Sequence, residues 1–185
     1  MFKTPLFELE KLIGEYKKNY VPSNGCISLN GCSPNRKNVT QTCKTLEDCV
    51  RKGICHHNKR MSKTTKSNTI NKMKCSAMLK QEFLDFEELF DFVAGCIRET
   101  GIGQLTIYDI SICLGRNLMS PPIEPKVFVY LHRGALEGAK KIKHLFNPQV
   151  KLKEGRFPIT VFPKKLQRLG SFHIENFLCV MKDKL

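Results

Sequence analysis

The chain has no tryptophan, no run of 18 apolar residues, no Cys-x-x-Cys pair, and only 17 acidic side chains against 31 basic ones. Each deficit excludes something. Without a long apolar run, no membrane-spanning helix is expected. Without closely spaced cysteine pairs, the usual scaffold of a structural zinc site is missing. The N-terminal MFKTPLFELEKLIGEYKKNY intersperses charge with apolar residues, so it does not read as a signal peptide, and a cytoplasmic location is expected. With 12 Gly and 9 Pro in 185 residues, fibrous and low-complexity classes are also excluded. The hydrophobic fraction of 41% is enough to build a core.

The charge is uneven. Residues 1–60 carry eleven basic and five acidic side chains, and residues 61–80 carry five lysines and no acid. Residues 81–100 reverse this, with six acids against Arg98, and residues 101–185 return to fourteen basic and six acidic. An excess of this size favours a polyanionic partner, because neutralising phosphates releases condensed counterions. DNA or another nucleic acid is the partner expected, with no membrane.

Of the nine cysteines, six fall at Cys26, Cys32, Cys43, Cys49, Cys55 and Cys75, separated by five, ten, five, five and nineteen residues. Neither these spacings nor the adjacent His56 and His57 make a recognisable metal motif, and the odd total argues against a disulfide framework. The cysteines are therefore expected to be reduced, metal-free and packed as small apolar residues. No cofactor is expected and zinc is disfavoured; a monovalent cation at the glycine turn described below is the one ion considered.

Apolar periodicity predicts an all-α (mostly α) fold, a multi-helix domain with one short strand pair. Leu6, Leu9, Ile13, Tyr16 and Tyr20 predict a helix over 6–20. Thr45-Leu-Glu-Asp48 is a capping signature for a helix reaching about Cys55. Residues 21–44 and the basic stretch 58–75 read as irregular, the latter as an arm able to order on a phosphate backbone. AMLKQEFL suggests a short helix from residue 77. Asp85 caps an amphipathic helix through Phe86, Leu89, Phe90, Val93 and Ile97. QLTIYDISICLGRNL and RGALEGAKKI read as helices, KVFVYL and part of KEGRFPITVFP as strands, and SFHIENFLCVMKDKL as a terminal helix capped by Ser171. Composition divides the chain into an N-terminal part, 1–75, packed on a core domain, 76–185.

Gly101-Ile102-Gly103 between two helices is the pattern that carries chemistry. A helix, a two-glycine turn and a second helix form a helix-hairpin-helix, in which the turn glycines free the backbone and Ile102 plugs between the helices. The first amides of the second helix then face outward, where with the helix dipole they suit one DNA phosphate. Gly101, Ile102, Gly103, Gln104 and Thr106 are the hairpin residues expected to contact nucleic acid, with Arg116, Arg133, Lys140 and Lys141 adding charge. A bulky residue at Gly103 is expected to block the phosphate and to strain the backbone.

The run GIGQLTIYDISICLGRNLMSPPIEPKVFVYLHRGALEGAKKI resembles a family of small bacterial helix-hairpin-helix proteins, and HHNKR and ENFLCVMKDKL resemble flanking elements of that family. A more distant likeness is to the helix-hairpin-helix DNA glycosylases. Where those enzymes place a catalytic aspartate this chain has Tyr130, Leu131 or His132, and where some carry a lysine it has Gln104 and Leu105. The polar groups of the matched region, Tyr108, Asp109, Tyr130 and His132, are the candidate catalytic set, with His132 as acid–base and Asp109 orienting it. The expected function is DNA binding through the phosphate backbone. A glycosylase-like nucleic-acid-processing enzyme and a basic protein-interaction module are the alternatives.

Overall fold

Asp85 sets the start of the helix that follows it, because its carboxylate accepts the backbone N–H of Glu88 at 2.9 Å. The computed structural model describes residues 6–20, 43–57, 62–75 and 82–185. These residues are mostly helical, as the periodicity predicts, with α1 (Leu6–Tyr20), α2 (Leu46–His57), α3 (Lys63–Cys75), α4 (Phe86–Ile97), α5 (Gln104–Asn117), α6 (Arg133–Lys141), α7 (Lys164–Gln167) and α8 (Ser171–Val180). Two short strands, β1 (Phe128–Leu131) and β2 (Gly155–Pro158), pair antiparallel with Phe128 opposite Pro158 and Leu131 opposite Gly155. No helix among the described residues is long and apolar enough to cross a membrane.

Contacts divide the chain into two units, 41–124 and 1–40 with 125–185. In the 41–124 unit, α2 and α4 both pack on α5, and α3 lies against α2 and α4. Every residue of α5 from Thr106 to Gly115 is buried. A stretch buried on every side, its polar Thr106, Asp109 and Ser111 included, is one that neighbours must enclose, and glycines let them come close. A Cβ on Gly53 of α2 would stand 2.6 Å from Ile110 Cγ1 and 2.8 Å from its backbone nitrogen. A Cβ on Gly115 would collide with the Ile123 carbonyl.

The other unit builds its core from the inner face of α1 (Leu9, Ile13, Tyr16), from β1, and from α6 and α8. Tyr16 is anchored at both ends of its ring. Its hydroxyl is 3.0 Å from His173 Nδ1, and its ring meets Phe177 edge-on at 5.6 Å. Gly138 lets α6 approach the backbone of α8 at Leu178.

Three local expectations change. Residues 63–75 are helical rather than irregular: the Ser62 hydroxyl accepts the Thr65 N–H at 3.0 Å and caps the start. A narrow strip of Thr69, Ile70 and Met73 is then buried, which a polar average conceals. Lysines read as an arm for phosphates are instead paired within the unit, Lys72 with Glu99 at 2.7 Å and Lys74 with Glu47 at 2.5 Å. Ser171 does not cap α8; that place belongs to Gly170 at φ +83°, and the Ser171 hydroxyl donates to the Lys126 carbonyl at 2.8 Å. Residues 82–84, the end of the short helix suggested from residue 77, are not helical, and the rest of that segment lies outside the described residues, as does most of 21–44. The α2 signature holds, with Thr45 and Asp48 exchanging side-chain-to-backbone bonds at 3.1 and 3.2 Å.

The close approach at Gly53 predicts a paired experiment. Gly53→Ala overpacks against the Ile110 backbone and should destabilise by about 1–3 kcal/mol. Gly95→Ala, on the exposed face of the last turn of α4 where a Cβ meets nothing within 4 Å, should stabilise by about 0.5–1 kcal/mol. Urea unfolding of both variants checks the two signs.

Candidate functional site

The glycine turn follows from how α4 ends. After Ile97 a short 3-10 turn, Arg98–Thr100, tightens the chain. Thr100 Oγ1 donates to the Ile97 carbonyl at 2.6 Å and the Gly101 N–H to the Arg98 carbonyl at 3.3 Å. Gly101 sits at φ +75°, a left-handed conformation that residues with a Cβ rarely adopt. Ile102 then turns inward and is buried, as expected of the plug.

Gly103 is the N-cap of α5 at φ −73° and ψ 159°, ordinary extended backbone, so the expectation of strain there is wrong. It is exposed, and a Cβ on it would meet nothing within 4 Å. The Gly103 carbonyl accepts the Thr106 and Ile107 amides at 3.0 and 3.2 Å. That leaves Gln104 and Leu105 as the outermost amides of a helix start that has no side-chain cap and no acid in its first turn. The turn is exposed on both sides of Ile102, and the nearby carboxylate of Glu99 is paired with Lys72. Such a helix start favours an anion.

The remaining residues expected at this interface fare differently. Thr106 is 2% exposed, so its side chain belongs to the core. Arg116 is also largely enclosed, its Nε 2.7 Å from Glu124. Arg133, Lys140 and Lys141 are exposed on α6, in the other unit; Arg133 lies 3.5 Å from Glu137 and Lys141 donates to the Lys182 carbonyl.

The four candidate catalytic residues fall two to a unit. Tyr108 and Asp109 are buried neighbours on α5, with the Tyr108 ring edge-on to Phe86 at 5.7 Å. Tyr130 and His132 follow each other along β1 and into α6, with ring centroids 6.5 Å apart. Both are buried, and His132 occupies the N-cap position of α6 without a side-chain capping bond.

What sequence reasoning missed is a cluster of thiols. Cys43, immediately before α2, Cys49 within it and Cys113 on α5 are all buried, and their sulfur atoms lie within 4.8 Å of one another. Cys43 and Cys113 are 3.3 Å apart at sulfur. Asn117, one turn beyond Cys113, ties the group together. Its Oδ1 accepts the Cys43 N–H at 3.2 Å, while its Nδ2 donates to the Cys113 carbonyl at 2.8 Å and lies 3.7 Å from the Cys113 sulfur. Burial, reinforced by the contact with Cys113, pushes the Cys43 thiol up to about 11. Cys49 is pushed up by its hydrogen bond to Cys113 and by burial, while that same bond holds Cys113 below the ordinary thiol value. Lys52 also favours the anionic form of Cys43 and Cys113. Of the three, Cys113 is the thiol whose anionic form these contacts favour. No signal of spacing exposes it, because 63 residues separate Cys49 from Cys113.

Access decides how such thiols react. Under brief native alkylation without added metal, the half-buried Cys96 and Cys179 should be modified before Cys43, Cys49 and Cys113. Residue-resolved mass spectrometry checks the order; early labelling of Cys49 or Cys113 would contradict the burial.

Comparison of the chain with protein-family models, with curated proteins and with solved structures gives no match.

Proposed function

We propose that the protein binds nucleic acid through its phosphate backbone, with the Gly101–Gly103 turn placing one phosphate on the first amides of α5. The observation that carries this reading is the uncapped, exposed start of α5, with Ile102 buried behind it and open space where a Cβ on Gly103 would stand. A helix N-terminus of this kind offers aligned N–H donors and the positive end of the dipole, with no base-reading group, so the contact is indifferent to sequence.

The charge distribution supports the same partner from a second direction. Residues 125–185 carry thirteen basic against four acidic side chains, whereas residues 41–124 carry twelve against ten. The hairpin thus depends on backbone dipoles, and residues 125–185 supply the long-range attraction. Affinity that comes from such charge falls steeply with salt.

Gln104→Pro isolates the amide contribution. Proline is well tolerated at the first position of a helix, where its missing N–H costs the helix nothing. The extended Gly103 backbone already suits a following proline. The variant should keep its circular dichroism and lose affinity for random duplex DNA by about fivefold, equivalent to ~1 kcal/mol. Gly103→Val, which obstructs the approach without straining the chain, should weaken binding in the same direction. Replacing Lys143 should mainly lower the salt slope by about one unit. Unchanged affinity in both hairpin variants, measured by fluorescence anisotropy on folded protein, would overturn the reading.

A further inference from the structure

The geometry points to a site for one thiophilic divalent metal ion, Zn(II) or a softer congener, held by the thiolates of Cys43, Cys49 and Cys113. An ion bonded to sulfur at about 2.3 Å in trigonal or tetrahedral geometry requires sulfur atoms about 3.8–4.0 Å apart. The three sulfurs here, with Cys43 and Cys113 3.3 Å apart and all three within 4.8 Å of one another, span that separation. Small shifts within their present positions would therefore seat an ion. The backbone already holds the ligands from two directions, Cys49 on α2 and Cys113 on α5, while Asn117 fixes Cys43 by its amide.

Ligand chemistry selects the ion. All three donors are sulfur, with no carboxylate or imidazole among the clustered ligand atoms, which excludes magnesium and calcium and favours soft ions. Charge narrows the choice further. Three thiolates around a monovalent ion leave two negative charges in a buried site, and around a divalent ion only one, with Lys52 acting on two of the three sulfurs. Burial of uncompensated charge is costly, so the divalent ion is preferred. On binding, each ligating thiol gives its proton to solvent and keeps its electron pair for the metal, with no change of oxidation state. The Asn117 Nδ2, already turned towards Cys113, supplies an N–H to a ligating sulfur, the outer support that orients thiolate sites. An ion here would tie α2 to α5. This departs from the expectation, drawn from spacing alone, that the cysteines are metal-free.

The test uses the full chain, reduced and handled without oxygen. Zn(II) is titrated in competition with a chromophoric chelator, and Cd(II) is added separately to read the sulfur-to-metal charge-transfer absorption, whose amplitude scales with the number of thiolates. The expected result is one ion per chain with the amplitude of three thiolates. Cys49→Ala and Cys113→Ala should each lose more than about 100-fold in affinity, the upper range for losing a mere outer-shell partner. Cys96→Ala and Cys179→Ala should bind as the parent does. Cys43→Ala, at the edge of the cluster, is the ligand variant to use if the deeper substitutions fail to fold by circular dichroism. In the parent protein Zn(II) should also raise the thermal unfolding midpoint, since a ligand bound only by the native state stabilises it. Absence of binding in the parent overturns the site, as does equal binding after a folded Cys43, Cys49 or Cys113 substitution, which would place the metal on other cysteines. A Cys43–Cys113 disulfide in the freshly isolated, unoxidised protein would equally overturn it.

Discussion

The burial of α5 on all sides is the constraint on which the 41–124 unit depends. A ten-residue buried stretch, Thr106–Gly115, leaves α5 no solvent face, so α2, α4 and the chain returning at Ile123 must all reach it. They reach it where a side chain is missing, at Gly53 against Ile110 and at Gly115 against the Ile123 carbonyl. Two properties follow from the same helix. Its start, left without a side-chain cap beside an exposed Gly103, presents backbone donors outward. Its last turns carry Cys113 inward to meet two cysteines from the chain around α2.

The two halves of the proposed binding act through different physics. Amides at a helix start act over one turn and define where a phosphate sits. Lysines and arginines act over a Debye length, about 8–10 Å at moderate salt, and govern how fast and how often a polyanion arrives. Residues 41–124 have nearly balanced charge, and two of their lysines are committed to carboxylates, Lys72 to Glu99 and Lys74 to Glu47. The basic excess of residues 125–185 is largely exposed, which suits the second task.

Helices with a wide apolar stripe and a capping residue were legible from the sequence, because both signals are local. Asp85 with Phe86, Leu89, Phe90, Val93 and Ile97 gives α4, and Thr45 with Asp48 gives the start of α2. The strand pair was also legible, in the β-branched and aromatic residues of 127–130. α3 escaped because the buried strip among its described side chains is Thr69, Ile70 and Met73, two of them weak hydrophobic signals on a lysine-rich helix. At the turn, the burial of Ile102 and the left-handed Gly101 could be read, since each has a local reason to be there. Thr106 and Arg116 could not, because burial and a partner at Glu124 are properties of the packed unit. The thiol cluster was hidden for the same reason: it is assembled by the α2–α5 contact, and sequence spacing records nothing of that contact.

The most direct test of phosphate binding at the hairpin is a titration of isotopically labelled protein with a short duplex, followed by amide NMR. The account predicts that the Gln104 and Leu105 amides move among the largest shifts, at a common midpoint with resonances of residues 125–185, and that added salt reverses all of them together. Binding that shifts only the resonances of residues 125–185 and leaves Gln104 and Leu105 unmoved would contradict it.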